Sequence, residues 1–465
     1  MNKYFRILPI IIGAVMALGA INRELWFDEA LTLLNFVLPL ELEDIYFAYT
    51  IPNNQIVYSM MLKVWNAVDC GALGLTQHWR VLSLLCSLGM LGILINLRRK
   101  LDENALYPAI LVLSAMCVSS VFINYATALR GYAASWLFCA MALSGLYDIF
   151  HEKAPRGWLI YLLAALLAVG TVPTNLLMLT GALIYALPWM REKFWQDKRF
   201  YCAAAAIPAS LIIFYMGIAG KFLDTFKLGE GFASCSGATV VTLGMYGVSF
   251  GLLLPVALLG IKTPSRVCCL RYTVWLLPFA AIWLLHRAPF PRVFVTVLPV
   301  LAMLVIDGIK EVVKANWRKY HKTAFFLVII LFQFLLIPTG AAAAHCSKLS
   351  SYEDDFFHPW YMLPNYRISE SALQIRTLAE ENKVFISFAS DPAPLYFYIA
   401  ERGGAQMANI SADLPYNSVK NLADGSVAVL RHNEDKQTYE KRFNCRLQEF
   451  AANKLHKFYR VKLAR

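Results

Sequence analysis

Long apolar runs, parted by short clusters of Lys and Arg, are what most constrain this chain. Segments such as 79–97, 106–123, 128–150 and 201–219 are near the length a helix needs to cross a hydrocarbon core about 30 Å thick. No water satisfies the backbone there, so only helices and closed barrels can span it. The runs show no strict alternation of apolar and polar residues, which sets the barrel aside. Composition agrees: 58% of the residues are hydrophobic and 16% charged, with a mean hydropathy of +0.51, whereas about a quarter of a soluble domain is charged. The pattern predicts an α-helical polytopic membrane protein with about eleven transmembrane helices. They fall at approximately 5–22, 79–97, 106–123, 128–150, 157–172, 175–190, 201–219, 239–260, 271–286, 292–309 and 323–339.

The net charge of +12 is distributed to orient a membrane protein, not to grip a nucleic acid. Before residue 340, nineteen Lys and Arg fall in the predicted inner loops and eight in the outer ones. Cytoplasmic loops carry such an excess. The expected location is therefore a plasma (bacterial inner) membrane, multi-pass, with the N-terminus cytoplasmic and everything after residue 340 extracytoplasmic. The first run, Phe5 to Ile21, is read as a retained helix rather than a cleaved signal peptide, because the rest of the topology works with it in place.

Two domains are expected. Residues 1–339 form the membrane part, with a long outer loop at 22–78. Within it, 55–67 reads as an amphipathic helix lying on the membrane surface, with Ile56, Met60, Val64 and Val68 on its apolar face. Residues 340–465 have ordinary polarity and read as a small α/β domain. Lys383 to Phe388, Ser426 to Leu430 and Phe458 to Leu463 look like strands, and Asp391 looks like a cap before a helix beginning at Pro392. The ten cysteines include no CxxC pair and no His partners at metal spacing. Cys86, Cys117, Cys139 and Cys202 read as core residues. Spacing leaves open whether Cys346 and Cys445 of the outer domain pair.

Three outer segments carry candidate chemistry. Asp28 and Glu29 follow the first helix. Adjacent carboxylates beside a bilayer are costly unless solvated, paired or used. A partly desolvated carboxylate can act as a general base, although an acidic helix cap accounts for the same two residues. Arg130 lies in the stretch Asn124-Tyr125-Ala126-Thr127-Ala128-Leu129-Arg130-Gly131-Tyr132. It can hold a phosphate through forked, charge-assisted bonds, or snorkel to lipid headgroups. Arg287 and Arg292 add two cations from a later outer loop. Three arginines from two separate segments, on the side of an acidic pair, suit an anion-binding cavity.

The ordered set of these segments resembles the GT-C superfamily of integral-membrane glycosyltransferases, in the branch holding protein O-mannosyltransferases and lipid A aminoarabinose transferase. The matching elements begin with Asp28-Glu29 after the first helix. Pro52-Asn53-Asn54-Gln55-Ile56-Val57-Tyr58 follows, ahead of the amphipathic stretch. Then come Arg80-Val81-Leu82-Ser83, Arg130-Gly131-Tyr132, and Pro291-Arg292 with Pro299. They cover most of residues 1–310 in consistent order. Two positions depart from the family pattern: Asn54-Gln55 where it has His-Pro, and Ala128 where it has an acidic residue.

The resemblance implies a GT-C-like bundle that moves a sugar from a polyprenyl-phosphate carrier to an extracytoplasmic acceptor, whether lipid, glycan or protein, with inversion. It implies Asp28 as the base and Glu29 as its orienting neighbour. For the donor's phosphate it implies Arg130 first, with Tyr132, Arg287, Arg292, Arg80 and Asn53 around it. No cofactor is called for with certainty, and a divalent metal loses one ligand candidate at Ala128. The implied partners are the lipid-linked donor, the acceptor and membrane lipids. Two other functions compete. A transporter or flippase of lipid-linked sugars would place ionisable residues deep within its helices. An inactive relative would act only as a binding protein.

Overall fold

The computed structural model describes residues 3–49, 54–68, 74–190, 194–228, 234–260, 270–284, 291–313, 319–347, 367–401, 407–413, 419–432 and 434–463. Its contacts divide the chain into two compact units. One comprises Met1–Asn22 and Glu41–Pro359, the other Arg23–Leu40 and Trp360–Arg465.

The first unit is helical. Each of the eleven apolar runs contains helix: Leu8–Leu18, Leu75–Leu101, Leu106–Val118, Tyr132–Phe150, Arg156–Thr171, Asn175–Ala186, Lys198–Tyr215, Cys235–Phe250, Leu277–Leu284, Leu298–Val313 and Lys319–Ser347. Among the described residues, four helices are long and apolar enough to cross a membrane, or six if each of two bent pairs forms one span. Four to six candidate spans thus stand against the eleven expected, because several of the other apolar helices run for only 10–17 residues. The bends have local causes. At Ser119 the chain turns by 75°, and the Ser119 hydroxyl accepts the Phe122 N–H to cap the new helix. At Gly251 it turns by 90°, through a φ of 52° that suits a residue without a Cβ.

Burial sorts these helices. The Tyr132–Phe150 and Pro291–Val313 stretches are 83% buried over their most apolar windows, and the Lys198–Asp224 stretch only 28%. The last therefore shows an apolar flank to the outside, with Ile212, Ile213 and Met216 all more than 60% exposed. An apolar surface of this kind suits lipid and not water.

At one end of this unit Asp307 gathers two arginines. Its carboxylate lies 2.9 Å from Arg98 and 3.1 Å from Arg271, and it accepts the Tyr185 hydroxyl at 2.9 Å. The Arg271 guanidinium also lies over the Tyr185 ring, 4.7 Å from its centre. A buried cation of this kind persists only with such a partner.

The stretch expected on the membrane surface forms the helix Ile56–Asn66, and the structure corrects its inward face. Ile56, Val57, Tyr58, Ser59 and Leu62 are buried, while Val64 and Val68 are exposed. Tyr58 and Ser59 explain the change: both make side-chain hydrogen bonds inside the unit. Polar pairing, and not only the apolar stripe, sets the orientation.

In the second unit a five-stranded sheet has the order β2-β1-β3-β5-β4. The strands are β1 (Val384–Ile386), β2 (Ile410–Ala412), β3 (Val427–Arg431), β4 (Cys445–Ala452) and β5 (His456–Leu463). β1 runs parallel to both β2 and β3. β5 runs antiparallel to β3 and to β4, with an irregularity between Glu449 and Ala451. Phe385, Ala428, Leu430, Phe443, Leu447 and Val461 share one core cluster. Among the described residues, the α-helices Ile368–Glu381, Pro392–Glu401 and Lys436–Phe443 belong to this C-terminal part. Cys445 is a buried free thiol. The side chain of Cys346 lies outside the described residues.

The short helix Phe27–Thr32, continued by a π-helical turn over Leu33–Val37, belongs to this second unit although it precedes most of the bundle in sequence.

Candidate functional site

The acidic pair occupies the first turn of the Phe27–Thr32 helix. Glu29, its third residue, reaches back to the Trp26 N–H at 3.3 Å and also binds Arg23 at 3.2 Å. Helix N-termini favour such a carboxylate. The capping role that sequence allowed for the pair is thus filled by Glu29. Asp28 is buried as well, and its backbone carbonyl accepts the Thr32 hydroxyl at 2.9 Å.

Beside this helix lie the carboxyl ends of the parallel strands β1 and β3, the edge where open α/β sheets commonly bind ligands. After β1 the chain passes through Ser387 and Ser390 to Asp391, which adopts a left-handed conformation with φ 53°. Asp391 pairs with Arg431, at the end of β3, at 3.3 Å. Burial raises its carboxyl above the ordinary range; Arg431 pulls it back, and the charges of Glu434 and Asp28 push it further up. The electrostatic reach of Asp28 therefore extends to the strand ends. Glu434 accepts the Ser387 hydroxyl at 2.6 Å and the Arg431 N–H at 2.5 Å. Behind them, buried His456 is held by Ser371 and by the Ser390 carbonyl. Since a carbonyl only accepts, Nε2 carries the proton and Nδ1 accepts from the Ser371 hydroxyl.

The cationic candidates belong to the helical unit. Arg80 is wholly buried and donates to the Thr127 carbonyl at 2.9 Å. Three residues on, Ser83 donates to the Ala128 carbonyl at 2.6 Å and meets the Tyr58 hydroxyl at 2.6 Å. The 127–131 stretch is thereby pinned from the Leu75–Leu101 helix. Gln55 pins it from a second side, accepting the Gly131 N–H. Asn54 fastens the preceding loop through the carbonyls of Ile45 and Ala48. Asn54 and Gln55 are thus structural clamps. Arg130 is only 5% exposed in this stretch, and the Tyr132 ring packs edge-on against Tyr125 at 4.9 Å.

Arg292 is the second residue of the helical stretch whose Val295 carbonyl accepts the Trp136 indole N–H at 2.8 Å. Arg130 and Arg292 each lie just before these partners, so both sit at one end of adjoining helices. Arg80 joins them through Thr127. Three of the predicted cations, from three separate segments, are buried within the unit. Arg287 and Asn53 lie outside the described residues. Among the described residues no group of three or more His, Cys, Asp or Glu is arranged to hold a metal ion.

Sequence reasoning missed Asp391 as anything beyond a cap, and missed Arg431, Glu434 and the clamp at Gln55. An Asp before Pro392 was the only local signal for the first. No protein-family model matches the chain, and no curated protein matches it.

Proposed function

We propose that this chain is a membrane glycosyltransferase that takes a sugar from a polyprenyl-phosphate carrier and passes it, with inversion, to an extracytoplasmic acceptor. The observation that carries the reading is the burial of Arg80, Arg130 and Arg292, from three segments, within an apolar helical unit. Buried cations in such surroundings are costly and mark a site for an anion. Arg130 supplies the planar fork that matches a phosphate, and charge stabilisation of the leaving lipid phosphate is what such a reaction most needs. Asp28 is the proposed base. It takes the proton of the acceptor hydroxyl or amine as that atom attacks the anomeric carbon. Glu29, tied to Arg23 and to the Trp26 N–H, shapes the turn.

In this reading all eleven apolar runs are membrane-embedded in a plasma (bacterial inner) membrane, the N-terminus is cytoplasmic, and the sheet unit lies on the outer side. A reporter joined after residue 340 then reports outside, and one joined near residue 195 reports inside. The same side for both overturns this topology. The activity is tested with purified protein in nanodiscs and a radiolabelled polyprenyl-phosphate sugar. Label passing to an envelope lipid, glycan or protein acceptor supports the reading. Label that crosses the bilayer unchanged identifies a flippase instead.

A further inference from the structure

A general base has to be held within a fraction of an ångström of its working position. Asp28 sits on a six-residue helix, far shorter than a helix stable by itself. The bonds within its own segment, Arg23 to Glu29 and Thr32 to Asp28, fix the shape of the turn but not its place. The rest of the second unit holds it through three contacts. The Glu24 carboxylate accepts the Ser369 N–H at 3.1 Å and the Ser369 hydroxyl at 2.5 Å, in the first turn of the Ile368–Glu381 helix. The Leu25 N–H donates to the Tyr398 hydroxyl at 3.0 Å, from the helix that follows Asp391. Phe27 sets its ring edge-on to Phe388, centres 5.5 Å apart, in the turn that leads to Asp391. Three contacts, from three elements, thus bracket the residues directly ahead of Asp28.

We infer that Ser369 and Tyr398 are positioning residues for Asp28, so that the C-terminal unit sets the reactivity of the acidic pair. This rests on the reading of Asp28 as the base. The unit's task is then to hold a catalytic group contributed by a distant part of the chain, whatever acceptor it also meets. Covalent distance makes the arrangement informative: Glu24 and Ser369 are 345 residues apart, and Leu25 and Tyr398 are 373 apart.

The test uses the full-length protein in nanodiscs, with Ser369→Ala, Tyr398→Phe, the double variant and Ser369→Thr. Two quantities are read: deuterium uptake by the backbone amides of residues 24–38, and transfer kinetics. In the double variant, uptake of that segment rises about tenfold while β3 and β5 exchange as in the wild type. In the same variant kcat falls about 10²-fold with the donor KM unchanged. Ser369→Thr keeps the hydroxyl and retains both wild-type values. Unchanged uptake in the double variant overturns the inference. Raised uptake with an unchanged kcat overturns it too. A wild-type protein that transfers no sugar, with a segment that still responds in exchange, overturns the glycosyl-transfer reading while upholding the docking.

Discussion

Arg23 and Glu29 form a buried ion pair at 3.2 Å within the same turn that carries Asp28. The two neighbouring acids therefore answer differently to loss of charge. Glu29→Gln takes one carboxylate from the buried Arg23 cation, a change that typically costs about 1–3 kcal/mol. It is expected to lower the melting temperature in detergent. Asp28→Asn leaves that pair intact and is expected to melt near the wild type while transfer falls by about 10²–10⁴-fold, the usual worth of a general base. Near-normal turnover in a folded Asp28→Asn protein removes the proposed base.

Arg130→Ala is expected to weaken donor binding and turnover together, by about 10²-fold or more in kcat/KM, because a buried phosphate loses its charged partner. Arg130→Lys recovers only part of this, since a point charge does not reproduce the fork. Titration with a fluorescent polyprenyl phosphate measures the binding directly. Ordinary affinity in Arg130→Ala moves the role to Arg292 or Arg80.

Gly131 has no room for a side chain. A Cβ there would strike the Thr171 methyl group and lie 3.1 Å from the Gln55 amide oxygen and 3.2 Å from the Tyr58 Cβ. Gly131→Ala is expected to cost about 1–3 kcal/mol through overpacking, read as a lower melting temperature. It also displaces the stretch that carries Arg130, so donor affinity falls even where the variant is folded.

His456 gives the sheet unit a pH dependence. Burial, and then the Arg431 charge, depress its imidazole from 6.5 to about 3. Between those values the unfolded chain binds a proton that the folded chain refuses. The stability is therefore complete above about 6.5 and is lost as pH falls toward about 3, at roughly 1 kcal/mol per pH unit. Asp391 has the opposite sign. Its raised carboxyl takes up a proton more readily folded than unfolded, and partly offsets the loss at the acid end. Limited proteolysis in urea at pH 5 and pH 7 reads the difference, and His456→Gln is expected to flatten it. An equal midpoint at both pH values in the wild type removes this account.

The helices were legible because apolar runs declare themselves. Their breaks were less so: Ser119 and Gly251 interrupt apolar stretches without a polar gap. β1, β3 and β5 follow runs rich in β-branched and aromatic residues. β4 was hidden because its Cys-Arg-Leu-Gln-Glu-Phe sequence buries only alternate residues near its start and leaves the rest largely exposed. β2 is too short, at three residues, to carry a pattern. The arginines of the candidate site were found through their order along the chain. Their clamps were not, since Gln55 meets Gly131 across 76 residues and Asp391 meets Arg431 across a sheet. Such apposition leaves no trace in local spacing. The inward face of the Ile56–Asn66 helix was misjudged for a related reason, because its polar members find partners that periodicity does not count.

The Asp307 cluster has a consequence for biogenesis. Arg98 and Arg271 emerge from the ribosome long before or just ahead of the carboxylate that neutralises both. Until then both lack the carboxylate that pairs with them in the folded protein. Once residue 307 arrives, the same two side chains share one carboxylate. A nascent chain that stalls before that point carries two cations without the acid that the finished fold sets between them.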